Sequence, residues 1–372
     1  MPNAHFVAHT SKTAGVKYLF LPGVNLEDSA LSTDEAELET LAEMGILRGG
    51  KNVVEGIELI TSADACSWRI TLPRLPKRPR HIMMTTEIAV QSFPAGGALN
   101  ACFVAHQLGV PASQLFLCGP VGRGKDGRFI AGNVASRGIR HAFFPAGPGG
   151  TATTLSVHDA KGQSTLFTLK PAFKVEFRAL QFLKGVAASA GVICAMSVKP
   201  KDLELVERLW KSRSAGGQLV FGPHAGLLSR EDLKARWQAL ASVAKLCVMN
   251  DAEASFLVRR RFNRDDIEIV ARMVGAEIVV VTMGTAGAVM KVRGEKVAAW
   301  QPAMMPEEVK GTSGAGDTFT GGMIAGLFQR GLNPREALRL GTLAAHCKVG
   351  SRCPWGGLPS LPEFNQTLAS LG

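Results

Sequence analysis

Four short runs of continuous apolar residues, at 191–196, 218–221, 245–249 and 277–282, constrain this 372-residue chain most. Each is short for a buried helix and lacks the alternation of a half-exposed strand, so each reads as a parallel strand covered on both faces. Helical patterns separate them, at 98–108, 127–137, 201–213, 230–242, 251–259, 266–274, 315–330 and 334–346. Further strands are predicted at 58–61, 66–72, 115–118, 152–157, 165–169, 287–292 and 296–300. This alternation predicts an α/β fold, a doubly wound and mostly parallel sheet flanked by helices. Ligands then bind beyond the carboxyl ends of the strands.

The alternation starts near residue 58, so residues 1–57 are expected to be an N-terminal extension of unknown role, with 1–16 disordered. Tyr18–Leu21 has the look of a strand there, and Ser32-Thr33-Asp34-Glu35 that of a capping box opening a helix that Gly45 closes. The remainder, 58–372, is expected to form the main domain. Segments 66–95 and 152–169 interrupt its pattern and are expected to form a small β lid over the cleft.

Composition narrows the function classes. The seven cysteines show no Cys-x-x-Cys spacing and lie in apolar segments, which predicts reduced thiols and a cytoplasmic location. Val186–Val198, the most apolar stretch, is too short and too rich in small residues to span a bilayer, so no membrane partner is expected. A net charge of +11 invites nucleic acid. Its densest basic clusters, Arg74–Arg80 and Arg259-Arg260-Arg261, carry no interleaved aromatics, and a solvated basic face is the better reading.

The chemistry concentrates in Gly311-Thr312-Ser313-Gly314-Ala315-Gly316-Asp317, followed by an apolar helical pattern. Glycines let a ligand approach the backbone, and a helix starting there aims unpaired N–H groups and its positive dipole end at an anion. Asp317 in the first turn would stand beside that anion. A carboxylate next to an anion hole is what phosphoryl transfer to a hydroxyl requires. Taken alone, the stretch reads better as a glycine-rich turn with Asp317 as an N-terminal cap. Three other stretches are similarly ambiguous. Gly96-Gly97-Ala98-Leu99-Asn100 opens a helix and offers an amide to a substrate hydroxyl. Asn250-Asp251-Ala252-Glu253 suits a water-mediated Mg²⁺ contact or a capping box. Thr282-Met283-Gly284-Thr285-Ala286-Gly287 is a strand entering a glycine turn.

In this order and at these separations the four stretches resemble the signatures of the ribokinase-like (PfkB-type) carbohydrate kinases, over about residues 58–360. The resemblance implies an ATP-dependent phosphotransferase acting on a hydroxyl of a sugar or sugar acid, with ATP and Mg²⁺ as cofactors. It implies Asp317 as catalytic base and the Gly314, Ala315 and Gly316 amides as anion hole. Asn250 and Glu253 would serve the Mg²⁺–phosphate side, Glu253 through water. Thr282, Gly284, Gly287 and Thr312 would hold ATP, and Gly96, Gly97 and Asn100 the acceptor. It also implies a homodimer formed through the β lid.

Some positions depart from the family pattern. Gly311 stands where many members carry an acidic residue that helps hold an activating monovalent cation, which argues against potassium activation here. Cys102, Gly124 and Gly222 replace expected residues. The sugar-gripping aspartate is missing too. Register against Arg74-Leu75-Pro76 places Ser67 or Trp68 at its position, with Asp64 as the nearest substitute. The other register starts the core at Leu19 and uses Asp28, at the cost of a long insert before Gly96. A nucleoside kinase of the same fold, with Trp68 or Phe93 against the base, and a kinase-like regulatory protein are the competing readings.

Overall fold

Tyr18, Leu19, Phe20 and Leu21 are each fully buried, and they form a strand in the middle of the main sheet. Tyr18 and Phe20 face one core layer and Leu19 and Leu21 the other, as period-two alternation requires. In this computed structural model the described residues are 7–8, 15–32, 41, 46, 51–61, 66–74, 79–86, 90–145, 150–169, 177–304 and 306–370. The ten-stranded sheet runs Val7–Ala8, Arg140–Pro145, Leu115–Val121, Tyr18–Leu21, Val192–Val198, Gln218–Pro223, Leu246–Asn250, Ile278–Thr282, Ala288–Val292, Ala299–Gln301. The seven strands from Arg140–Pro145 to Ile278–Thr282 pair in parallel, and the edges are antiparallel. The doubly wound α/β sheet is therefore as expected, while the helices Phe177–Ser189 and Leu361–Ser370 and the sheet strand Arg140–Pro145 are unforeseen.

The boundary at residue 57 does not hold. Burying four large side chains stabilises the fold by roughly 6–12 kcal/mol, comparable to the whole net stability of a domain. Tyr18–Leu21 is thus the first core strand and not part of an appendage. The strand Cys66–Thr71, by contrast, alternates between buried and open positions and belongs to a separate three-stranded sheet with Gly56–Thr61 and His81–Thr86. A second, five-stranded sheet orders Lys51–Val54, Ser164–Leu169, Thr153–His158, Asn25–Leu31 and Gln91–Ala95. Segments 66–95 and 152–169 therefore do not form one sheet by themselves: 66–95 is divided between two sheets, and the five-stranded one also takes in Asn25–Leu31 and Lys51–Val54. Of the Ser32–Gly45 helix only Ser32 and Leu41 fall within the described residues: Ser32 makes a bridge to Thr86, and 33–40 and 42–45 lie outside them. Most of the stretch expected to be disordered lies outside them too.

The helix Ala315–Ile324 is clamped between Gly97–Gln107 and Pro334–Val349. A Cβ on Gly321 would stand 2.7 Å from the Ala101 oxygen, and one on Gly322 would stand 2.8 Å from Gly341 Cα. Small residues let these helices approach closely, which brings the N-termini of two of them to the same end of the sheet. All seven cysteines are free thiols. Among the described residues no helix is long and apolar enough to cross a membrane.

Candidate active site

Gly314 caps the helix Ala315–Ile324 with φ 79°, and a Cβ there would lie 2.0 Å from the Pro354 carbonyl oxygen, so only glycine fits. Asp317 follows in the first turn. Asn100 comes from the facing helix, whose start needs Gly96 at φ 108° with the Gly23 oxygen 2.4 Å from its absent Cβ. The Asn100 amide Nδ2 donates to Asp317 Oδ2 at 2.9 Å. Burial raises the Asp317 pKa, while the Asn100 hydrogen bond and the charge of Lys51 pull it back.

A cavity opens over Asp317, lined also by Asn25, Glu27, Lys51, Gly96, Gly97 and Asn100. Two buried oxygens on its wall, Asn100 Oδ1 and Glu27 Oε1, have no protein partner among the described residues. Such atoms are costly unless something bonds them, and a polyhydroxy ligand would. A second cavity lies behind the turn, with Thr282, Gly284, Gly287, Thr312, Ala315 and Gly316 among its lining and Phe319, Ala345 and Val349 as an apolar wall. The turn itself separates the two. Ser313, Gly314 and Asp317 line the first cavity, whereas Thr312, Ala315 and Gly316 line the second.

Asn250 and Glu253 line neither cavity. They form a reciprocal capping box on the helix Asp251–Val258: Glu253 N–H donates to Asn250 Oδ1 at 2.7 Å, and Asn250 N–H donates to Glu253 Oε2 at 3.0 Å. Glu253 still senses the site, because burial pushes its pKa up to about 7 and Asp317 adds to the rise. Asp64 lies outside the described residues.

A buried carboxylate lining the first cavity that sequence reasoning missed is Glu27, on the strand Asn25–Leu31. Its neighbour Asp28 points the other way, accepting from Ser92 Oγ at 2.6 Å. Gly23-Val24-Asn25-Leu26-Glu27 directly after a continuous apolar strand was the available signal. Burial raises the Glu27 pKa, opposed by a Ser313 hydrogen bond and by Lys348 and Lys51.

The five-stranded sheet also touches the Thr312–Asp317 turn. Ser164 Oγ accepts from Thr312 N–H at 3.1 Å and from Ser313 N–H at 3.2 Å, and it bonds His158 Nδ1 at 2.9 Å. Ser29 holds the other imidazole nitrogen at 2.8 Å. The fixed ring explains the glycine at 311, since a Cβ there would meet His158 Cε1 at 2.9 Å. Gly311→Ala should therefore destabilise by about 1–3 kcal/mol through overpacking. Thermal unfolding reads this as a Tm lower by a few degrees; an unchanged Tm would mean that the imidazole can yield.

The profile of the pfkB family carbohydrate kinases matches residues 70–359. This chain belongs to that family. It is a carbohydrate kinase, a phosphotransferase with an alcohol group as acceptor. The match starts at 70 although the kinase fold includes Tyr18–Leu21, so the N-terminal core strand lies outside the matched stretch. An uncharacterized sugar kinase of Escherichia coli, YegV, is 27% identical over 315 residues, covering 80% of this chain and 86% of that protein. Adenosine kinase of Schizosaccharomyces pombe is 25% identical over 258 residues, covering 64% and 74%. Among solved structures, adenosine kinase from Sinorhizobium meliloti superimposes with a TM-score of 0.70 at 18% identity, over 95% of this kinase and 100% of that chain. Ribokinase from Giardia lamblia does so with a TM-score of 0.70 at 16% identity, over 96% and 100%. These likenesses establish the ribokinase-like fold.

Proposed function

We propose that this kinase moves the terminal phosphoryl group of Mg·ATP onto a hydroxyl of a small sugar or sugar acid. The observation that carries the reading is the Thr312–Asp317 turn forming the wall between two cavities. In this reading the acceptor sits against Gly96, Gly97, Asn100 and Glu27, and ATP against Thr282, Gly284, Gly287 and Thr312. Asp317 takes the proton of the attacking hydroxyl, and the amides of Gly314, Ala315 and Gly316 at the helix N-terminus stabilise charge on the phosphoryl oxygens. The Ala315 N–H also reaches the Thr312 oxygen at 3.2 Å, so it turns toward the phosphoryl group only as that bond loosens.

Mg²⁺ would neutralise phosphate charge when bound. Glu253 suits a contact through water: burial chiefly raises its pKa, and the negative charge of Asp317, which adds to the rise, is one that a divalent cation would relieve.

The composition of the first cavity favours a sugar over a nucleoside. Its described lining contains no Phe, Trp or Tyr side chain, and Trp68 is buried in the lid with Nε1 donating to Thr86 Oγ1 at 3.0 Å. Lys51, Lys199 and Lys201 in the lining favour an acceptor bearing an acidic group. The test is ADP release with Mg·ATP against pentoses, hexoses, sugar acids and nucleosides. Turnover with a sugar or sugar acid is expected. Turnover with nucleosides alone would overturn the acceptor class, and ATP binding without turnover on any acceptor would favour a regulatory role.

A further inference from the structure

Lys348 is completely buried, in the last turn of the helix Pro334–Val349 and against the catalytic turn. Lysine is almost never found so without a strong reason, because an ammonium leaves water only at a large penalty unless it is paired. Here Nζ donates to the Gly311 carbonyl oxygen at 2.6 Å and to the Ser351 carbonyl oxygen at 3.0 Å. Gly311 leads into the Thr312–Asp317 turn. Ser351 leads toward Pro354, whose carbonyl sits against Gly314. One positive charge thus ties together the two backbone segments that shape the anion hole. The buried carboxylate of Glu27, on the acceptor side of the same turn, attracts it.

Converging main-chain carbonyls are also how proteins hold a dehydrated monovalent cation. At the position before Thr312 a carboxylate ligand for such an ion is excluded, since His158 fills the space beside Gly311. We propose that the Lys348 ammonium is this kinase's permanent monovalent cation: it holds the Gly311 carbonyl, and with it the turn that carries Asp317, so that phosphoryl transfer needs no added potassium or sodium. This rests on the kinase reading above and makes Lys348 a positioning residue. Burial lowers the Lys348 pKa and Glu27 raises it, which agrees with an ammonium retained by its carboxylate neighbour.

The test compares KCl, NaCl and tetramethylammonium chloride at equal ionic strength, with turnover and Tm as readouts. Wild type should keep the same turnover within about twofold in all three, because its cation is covalently attached. Lys348→Met should lose about 10–100-fold in turnover, as expected for a displaced catalytic group. Lys348→Ala should lose as much, yet recover partly in KCl or with methylammonium, which can enter the space left behind. A purely structural lysine would show no such rescue. Wild-type turnover that climbs severalfold in KCl over tetramethylammonium would overturn the proposal, as would full activity of Lys348→Met. The Tm arm requires no acceptor, so it decides the matter even if the kinase reading fails. Wild-type Tm should be indifferent to the cation, and a Tm raised by potassium in the wild type would reveal a separate ion site.

Discussion

Asp317→Asn should give an enzyme that is slower and also more stable. Removing the base lowers turnover by a factor on the order of 10²–10⁴. The stability gain follows from linkage. Burial raises the folded-state pKa of Asp317 above its unfolded value, so the folded state binds that proton more tightly. Its contribution to stability is full below the unfolded pKa and is lost as pH rises through the folded value. At pH 7 the wild type therefore carries a buried charge at a cost, and the isosteric amide relieves it. The substituted side chain would still offer its carbonyl oxygen to the Asn100 amide. Thermal unfolding at pH 7 should show Tm up by a few degrees in the variant, and the gain should shrink toward about pH 4. The wild-type pH–rate profile should have its acid limb above the ordinary aspartate range, for the same reason. Equal turnover by the two proteins would remove Asp317 from the chemistry, and a lower Tm in the variant would show the carboxylate to be structurally favourable.

What is legible in the sequence follows from where the physics is local. The strands Val192–Val198, Gln218–Pro223, Leu246–Asn250 and Ile278–Thr282 announce themselves because full burial on both faces demands a continuous apolar run. The Gly314–Asp317 turn is equally visible, since its glycines and carboxylate are consecutive. Tyr18-Leu19-Phe20-Leu21 carries the same apolar signature, but strands of the two smaller sheets lie between it and Gly96 and hide its place in the core. Asn250 and Glu253 show the reverse case: spacing alone fits both a cap and a ligand contact, and the geometry displays the cap. The arrangement of His158, Gly311 and Lys348 is hidden for a different reason. Its members lie 37 or more residues apart, and only the fold reveals that an imidazole and an ammonium fill the surroundings of one glycine.

Glu27 should decide how well the acceptor binds, and two substitutions separate its two interactions. In Glu27→Gln the cavity keeps its shape but loses a charged acceptor, and a hydrogen bond to a charged group is worth about 1.5–3 kcal/mol. The acceptor KM should rise roughly 10–100-fold while the KM for ATP, bound beyond the Thr312–Asp317 turn, stays within about twofold. The same variant removes the buried charge that attracts Lys348, and it also relieves the burial cost that raises the Glu27 pKa. These two effects oppose each other in Tm, so the kinetic effect should be the larger one. Glu27→Asp retains the charge and with it the attraction for Lys348. It withdraws the carboxylate by one methylene from the cavity, so the acceptor KM should still rise. Steady-state kinetics with each substrate varied in turn, and thermal unfolding of both variants, check this pattern. If Glu27→Gln binds acceptor as the wild type does, the orphaned Oε1 is not the acceptor's handle, and Glu27 serves Lys348 and Ser313 alone.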